Sequence, residues 1–162
     1  MAVKKLEIRE IEVRDNAEIQ ALIKQVLEEY GDAKPGTAYF DPELGSLAQF
    51  YAAKTCRKYW VVTAAGRVVG GCGVAEFDTQ GTAELQKLYF LPEFRGLGLG
   101  KRLANLCEEF ARQAGFKSLY LETLSNMHEA VGLYQHLGFE PRSHPRGETE
   151  HPTCDIWLEK LI

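Results

Sequence analysis

Apolar and charged residues alternate over Leu6–Val13, and this period of two predicts a half-buried first strand. Over Ile19–Tyr30 the apolar residues instead recur at helical spacing, which predicts the first helix. Asp15–Glu18 has the form of a capping box at the start of that helix. Asp41 before Pro42 predicts the start of a second helix, because aspartate caps helices and proline favours the first helical position.

The rest of the chain alternates between strand-like and helix-like segments. Ala65-Gly66 predicts a tight hairpin, and glycines at positions 70, 71 and 73 predict a bulge or a close backbone approach. Helices between some strands and hairpins between others predict one α/β domain over residues 1–162, with a mixed sheet. The predicted strands are Tyr59–Ala64, Arg67–Phe77, Thr82–Leu91, Phe116–Leu124, one from Phe139, and Cys154–Leu161, and the helices are Leu99–Ala114 and Glu129–Leu137.

Charge and composition narrow the classes of function. The formal net charge of -4 argues against nucleic-acid binding, which needs a basic surface. No apolar run reaches about 20 residues, so no membrane span is predicted, and residues 1–5 do not resemble a signal peptide. The four cysteines lack disulfide-framework and zinc spacings, which predicts reduced thiols, a cytoplasmic location and no metal site. They are Cys56, Cys72, Cys107 and Cys154.

The segment with the clearest chemistry is the glycine-rich stretch at residues 95–102, between a predicted strand and a predicted helix. Glycines allow a tight turn in which backbone N–H groups converge, and the start of a helix adds positive potential. Arg95, Lys101 and Arg102 add full positive charges. The segment is therefore predicted to bind a pyrophosphate.

Spacing separates this segment from two other glycine-rich loops. A P-loop needs glycine at the place of Arg95 and serine or threonine at the place of Arg102, so that assignment fails. The dinucleotide fingerprint needs Gly-x-Gly-x-x-Gly in an early β-α-β unit, whereas Gly96, Gly98 and Gly100 alternate and follow mid-chain hairpins. That assignment fails as well.

The remaining pattern, Arg-Gly-x-Gly-x-Gly, resembles the acyl-CoA pyrophosphate loop of the GNAT superfamily of N-acetyltransferases. Residues 83–94 resemble the family's fourth strand, and residues 133–139 resemble its last helix with a Tyr-x-x-x-Gly-Phe signature. The detailed resemblance covers roughly residues 59–140. It implies a single-domain α/β fold whose mixed, mostly antiparallel sheet of about seven strands is flanked by four helices. It also implies an N-acetyltransferase that uses acetyl-CoA as cosubstrate.

The resemblance also implies which residues hold the cofactor. Backbone groups of Leu88, Tyr89 and Phe90 would bind the pantetheine arm. Asn126 would contact the cofactor in place of an asparagine that the family often has one position later, where this chain has Met127. The pyrophosphate would be held by Arg95, Gly96, Leu97, Gly98, Leu99, Gly100, Lys101 and Arg102.

Two residues are implied to carry the chemistry. Glu84 matches a glutamate that acts as general base in some members, with ordered water or a plain surface glutamate as the alternatives. Tyr134 matches the tyrosine that protonates the departing thiolate, with a packed helix aromatic as the alternative.

The acceptor is expected to be a primary amine of a small molecule, amino acid or peptide. The segments Asp32–Phe50 and Arg142–Pro152 are expected to form its binding wall, because variable loops on a rigid sheet set specificity. A homodimer is left open. The rival function is a non-catalytic acyl-CoA-binding or sensing domain, and the presence of both Glu84 and Tyr134 favours the enzyme.

Overall fold

The computed structural model describes residues 5–162, so the prediction for the opening residues 1–4 lies outside the described part. Residues 5–162 form a seven-stranded sheet and four α-helices, which confirms the predicted α/β fold. The elements are β1 (Leu6–Glu10), α1 (Asn16–Glu29), α2 (Leu47–Ala52), β2 (Lys58–Ala64), β3 (Arg67–Glu76), β4 (Thr82–Phe90), α3 (Leu99–Gln113), β5 (Ser118–Thr123), α4 (His128–His136), β6 (Glu140–Arg142) and β7 (Ile156–Leu161).

The sheet has the order β1-β2-β3-β4-β5-β7-β6 and splits near its centre. Among the described strands, β4 and β5 form the parallel pair, and the other neighbours are antiparallel. β4 and β5 pair only over Thr82–Glu84 and Ser118–Tyr120. Beyond this stretch β4 continues against β3 while β5 continues against β7. The two central strands therefore leave a gap that begins just after Glu84.

Helices cover both faces of the sheet, so each face has its own apolar core. One core joins the sheet to α3 through residues such as Leu103 and Cys107. The other joins the sheet to α1 and α2 through residues such as Ile23 and Leu47. Successive side chains of a strand point to opposite faces of the sheet, so neighbouring residues of β2 pack into different cores.

A bulge in β4 turns Lys87 inward beside the gap. Gly71 pairs with Tyr89 and Gly73 with Gln86, so β4 has one more residue than β3 between these pairs. The extra residue leaves Lys87 with a left-handed φ of 52°. Glycine is needed opposite the bulge, because a Cβ at Gly71 would lie 2.5 Å from the Tyr59 ring. This close approach confirms the prediction made from the glycines of β3.

Two predicted helix caps are wrong, although α1 begins at Asn16, directly after Asp15 as predicted. Asp15 precedes α1, but its carboxylate accepts hydrogen bonds from Arg9 at 2.7 Å and from the Glu12 amide at 2.8 Å instead of capping the helix. Asp41 likewise caps nothing, because its carboxylate is bound by Lys87 and His151, and α2 begins only at Leu47. In both cases the aspartate carboxylate binds a side chain from another element and not the backbone N–H groups of the nearby helix. The other predicted elements differ from the observed ones at their ends.

No helix within residues 5–162 combines the length and the apolar character needed to cross a membrane. All four cysteines are free thiols. Among the described residues, no group of three or more histidine, cysteine, aspartate or glutamate side chains is placed to hold a metal ion.

Candidate active site

A cavity of about 760 Å³, here called the large cavity, lies between the end of β4 and the starts of α3 and α4. Its volume suits a cofactor-sized ligand. Nine of the twelve residues predicted to bind the cofactor line it, namely Leu88, Tyr89, Phe90, Arg95, Gly96, Gly98, Leu99, Gly100 and Lys101. Sequence reasoning missed the opposite wall, which includes Val26 and Tyr30 from the α1 side and Met127, Ala130 and Leu133 at α4.

The glycine-rich loop has the conformation that an anion site requires. Gly96 and Gly98 have left-handed φ values of 76° and 79°, which side chains rarely adopt, and α3 begins directly after Gly98. Gly100 serves close packing, because a Cβ there would lie 3.0 Å from the Leu133 side chain. The first backbone N–H groups of a helix have no helical partners, and this first turn lines the large cavity.

Arg95 lines the large cavity, but its charge is already engaged. Its guanidinium donates to both carboxylate oxygens of Glu29, at 2.8 and 2.9 Å, and to the Tyr30 hydroxyl at 3.3 Å. Its Nε donates to the Phe90 carbonyl at 3.0 Å. Arg95 therefore braces the end of α1 against the loop. Within residues 5–162 Lys101 has no ion-pair partner, so it is the lining cation that remains available to an anion.

Three predicted cofactor residues lie outside the lining of this cavity. Leu97 and Arg102 are exposed at the loop and in the first turn of α3. The Asn126 amide donates to the Tyr30 carbonyl and to Asp32, both at 3.1 Å, and so ties α4 to the end of α1. Met127 takes its place in the cavity wall.

A second cavity of about 230 Å³, the acidic cavity, lies on the other side of β4. The two predicted acceptor segments form part of its wall, with Glu43 and Phe50 from the first and Glu148 and Glu150 from the second. Glu76 in this wall is neutralised by Arg57, whose guanidinium donates to its carboxylate at 2.6 Å. The remaining acidic side chains in the lining are Glu43, Glu84, Glu122, Glu148 and Glu150, so the cavity favours a cation.

Glu84 sits at the point where β4 and β5 separate. The pKa of its carboxyl is raised to about 7, because burial and the nearby charge of Glu122 together outweigh the hydrogen bond from Gln86 that lowers it. The Gln86 amide donates to Glu84 at 2.6 Å and accepts from the Tyr51 hydroxyl at 2.7 Å. Glu84 is therefore both held in place and able to exchange a proton near neutral pH.

A buried ion cluster forms the floor between the two acceptor segments. The Lys87 ammonium donates to Asp41 at 2.6 Å, and it lies 3.5 Å from Glu43. His151 Nε2 lies 2.8 and 3.0 Å from the two Asp41 oxygens. Burial lowers the pKa of His151, but its hydrogen bond and charge interaction with Asp41 leave the pKa raised overall. The cluster thus joins both acceptor segments to the bulge of β4.

Replacing Lys87 with methionine tests how much the buried ion cluster contributes to the stability of the fold. The change would leave the buried Asp41 carboxylate without its lysine partner, so the free energy of unfolding should fall by about 3–5 kcal/mol. The matched control is Lys54→Met, whose exposed pair with Glu76 should contribute only about 0–1 kcal/mol. Urea unfolding of both variants measures the difference, and equal losses would contradict the role assigned to Lys87.

A third cavity of about 50 Å³, the connecting chamber, lies between the other two. It shares Tyr89 and Met127 with the large cavity. It shares Glu84, Gln86, Lys87, Glu122 and His151 with the acidic cavity. The three spaces are therefore neighbours along the gap between β4 and β5, and Glu84 lines both the chamber and the acidic cavity.

Tyr134 lies on α4 behind the wall of the large cavity and is buried in the core. Its ring packs edge-on against Phe139, with the ring centroids 6.0 Å apart. Within residues 5–162 its hydroxyl has no hydrogen-bond partner. Burial raises the pKa of this hydroxyl well above its ordinary value, so it stays protonated at any working pH.

This arrangement is that of a transferase, in which a donor and an acceptor enter from opposite sides and meet at a split in the sheet. The model of the acetyltransferase (GNAT) family matches residues 20–139. The chain is 44% identical over 152 residues to the Escherichia coli K12 protein named uncharacterized N-acetyltransferase YjgM, covering 92% of this chain and 90% of that one. The chain therefore belongs to the acetyltransferase (GNAT) family and is an acetyltransferase.

Solved structures share the fold over nearly the whole chain. An acetyltransferase of the GNAT family from Staphylococcus aureus Mu50 has a TM-score of 0.85 and 17% identity, with 97% of this chain and 99% of that chain covered. YncA from Salmonella typhimurium, described as a structure with its cofactor acetyl-CoA, has a TM-score of 0.75 and 20% identity, with 97% and 94% covered. At these identities the likeness concerns the fold.

Proposed function

We propose that the chain is a cytoplasmic N-acetyltransferase that transfers an acetyl group directly from acetyl-CoA to a primary amine of a small molecule, amino acid or peptide. The observation that carries the proposal is the series of three neighbouring cavities, with Glu84 in the wall that the second and third share. Direct transfer needs the amine and the thioester in one space, and the connecting chamber borders both outer cavities.

Acetyl-CoA would occupy the large cavity. The left-handed glycines and the first turn of α3 suit a pyrophosphate, and Lys101 adds a free positive charge. The end of β4 at Leu88–Phe90 offers its backbone to the pantetheine amides. The fold neighbour from Salmonella typhimurium is described with acetyl-CoA as its cofactor, which supports this assignment. When bound, acetyl-CoA supplies the activated acetyl thioester.

The acceptor would enter through the acidic cavity as an ammonium ion. Glu84, with its pKa of about 7, takes one proton from the ammonium and so frees the lone pair of the nitrogen. That nitrogen forms the new bond to the acetyl carbon as the carbon–sulfur bond breaks, and it then releases a second proton to solvent to become the amide. The resemblance to the family assigns to Tyr134 the protonation of the leaving thiolate, and its α4 neighbours Ala130 and Leu133 line the large cavity. In this proposal the thiolate takes the proton of the Tyr134 hydroxyl, and Tyr134 is later reprotonated from solvent.

A thiol-release assay with a panel of amines, amino acids and peptides separates this proposal from a non-catalytic acyl-CoA sensor. The enzyme should release free CoA thiol only when an amine acceptor is present. A sensor would bind acetyl-CoA and release no thiol with any member of the panel.

Acetyl-CoA should also raise the melting temperature, and Gly98→Val should abolish this shift by placing a branched side chain in the anion site. A ligand at a hundredfold excess over its Kd stabilises by about 2.7 kcal/mol. Gly66→Val is the matched control, because Gly66 has a similar left-handed φ of 82° in a hairpin far from the cavity. Both variants should lose stability, but only Gly98→Val should lose the shift. A full shift in Gly98→Val would remove the loop from the cofactor site.

A further inference from the structure

The connecting chamber is where the acetyl carbon and the amine nitrogen must meet if the proposed function holds. Its volume of about 50 Å³ is small beside the large cavity. A site needs about 10–15 Å³ by this kind of measure to hold one water oxygen, so the chamber has room for about four non-hydrogen atoms. An acetyl group and the attacking nitrogen together fill it.

Met127 and Tyr89 form the partition between the large cavity and the connecting chamber. Of the two, Met127 has the unbranched side chain. Its side chain lines both spaces, is 7% exposed and belongs to the same apolar core as Leu27 and Leu124. Its backbone is fixed, because its N–H donates to the Leu124 carbonyl at 3.0 Å and its carbonyl accepts from Val131 at 3.1 Å. The side chain is therefore a well-anchored apolar wall beside the reacting atoms.

Four polar side chains of the lining cannot easily make room for a longer acyl chain. Glu84, Glu122, Lys87 and His151 are polar groups held by hydrogen bonds or charge. Methylene groups of a longer acyl chain would have to displace these groups or one of the apolar side chains of the lining, which are Leu27, Ala38, Leu85, Tyr89, Leu124, Met127 and Cys154. Of the apolar side chains, only Tyr89 and Met127 also line the large cavity from which the acyl chain would enter. Met127 is the unbranched one of the two, so its length decides how much space an acyl group has.

We propose that Met127 restricts the acyl donor to acetyl-CoA by limiting the length of the acyl chain that fits in the connecting chamber. This inference rests on the proposed function. An acetyl group fits beside the Met127 side chain, whereas butyryl and longer groups collide with it. Met127 is a specificity-determining residue, and it takes no part in proton transfer.

The test compares kcat/KM for acetyl-, propionyl-, butyryl- and hexanoyl-CoA with one good amine acceptor. One extra methylene in a closely fitting pocket changes kcat/KM by about tenfold or more, so the wild type should prefer acetyl-CoA to butyryl-CoA by at least that factor. Met127→Ala removes about three non-hydrogen atoms from the wall, and it should reduce the acetyl-to-butyryl ratio at least about tenfold. Met127→Leu keeps the volume and should keep the ratio.

The ratio is informative even where a variant is less stable, because loss of folded enzyme affects both donors equally. If Met127→Ala does not fold, Met127→Val replaces it in the test, because valine leaves a smaller void in the core. Leu106→Ala is the matched apolar truncation, since Leu106 lies on α3 outside all three cavities and should leave the ratio unchanged.

Two results would overturn the inference while leaving the proposed function intact. One is a wild type that uses butyryl-CoA as efficiently as acetyl-CoA, and the other is a folded Met127→Ala or Met127→Val with the wild-type ratio. Failure of the proposed function has a different signature, which is the absence of thiol release with acetyl-CoA and every amine tested. In that case the same donors are compared by the rise in melting temperature, where the wild type should favour acetyl-CoA and Met127→Ala should not.

Discussion

Glu84→Gln should lower kcat by about 10²–10⁴-fold at neutral pH, which is the usual effect of losing a positioned general base. The glutamine keeps the size of the side chain and can still accept a hydrogen bond from Gln86, but it cannot accept the proton of the ammonium. The wild-type rate should rise through about pH 7 as Glu84 loses its proton. The variant should lack this inflection and recover only at high pH, where the acceptor amine is already neutral.

Initial rates across pH 6–10 with one good acceptor measure this effect. Glu148→Gln is the matched control, because Glu148 also lines the acidic cavity but is exposed and, within residues 5–162, unpaired. It should weaken the attraction of the ammonium and so raise KM, with little effect on kcat. A wild-type kcat in Glu84→Gln would show that ordered water acts as the base, and a loss without recovery at high pH would leave Glu84 as a binding residue.

Glu84→Gln should lower the rate, but above about pH 7 it should increase the free energy of unfolding. The pKa of Glu84 is raised from 4.5 to about 7 in the folded chain, so ionising it opposes folding. Wild-type stability should therefore fall relative to Glu84→Gln as the pH rises from about 4.5 through 7. At 1.36 kcal/mol per pKa unit, the difference approaches about 3 kcal/mol above pH 7. Urea unfolding at pH 5 and pH 8 measures it.

The parts of the site that could be predicted from the sequence are those set by short-range pattern. The glycines at 96, 98 and 100 specify a turn and a close helix approach at fixed spacing, and the structure has both. The alternation of β4 and the helical spacing of α3 likewise predict their own elements. Most of the predicted cofactor residues line the large cavity for this reason.

The parts that could not be predicted depend on partners distant in sequence. Asp41 meets Lys87 across 46 positions and His151 across 110, so the local aspartate–proline pattern predicted a helix cap in place of an ion cluster. The sequence predicts that Arg95 binds a phosphate, whereas in the structure its guanidinium is paired with Glu29 of α1. The raised pKa of Glu84 depends on burial and on Glu122 from another strand. Lys87 falls where the alternation of Ala83 and Leu85 predicts an apolar residue, and this was the available signal for the cluster.

Tyr134→Phe should lower kcat by about 10²–10⁴-fold while leaving the fold and the binding of acetyl-CoA intact. Phenylalanine keeps the packing of the ring against Phe139, and the hydroxyl that it loses has no hydrogen-bond partner within residues 5–162. Stability should therefore be nearly unchanged, because no hydrogen bond within residues 5–162 is broken.

The pH dependence of Tyr134→Phe separates a missing acid from a missing base. Burial keeps the pKa of the Tyr134 hydroxyl well above its ordinary value, so this hydroxyl stays protonated across pH 6–10 in the wild type. The variant should therefore stay slow at every pH in that range, in contrast to Glu84→Gln. Tyr39→Phe is the control, since it removes a hydroxyl that is bound to Glu28 at the surface. Near-wild-type turnover in Tyr134→Phe would show that Tyr134 is only a packed core aromatic. The thiolate would then be protonated by solvent.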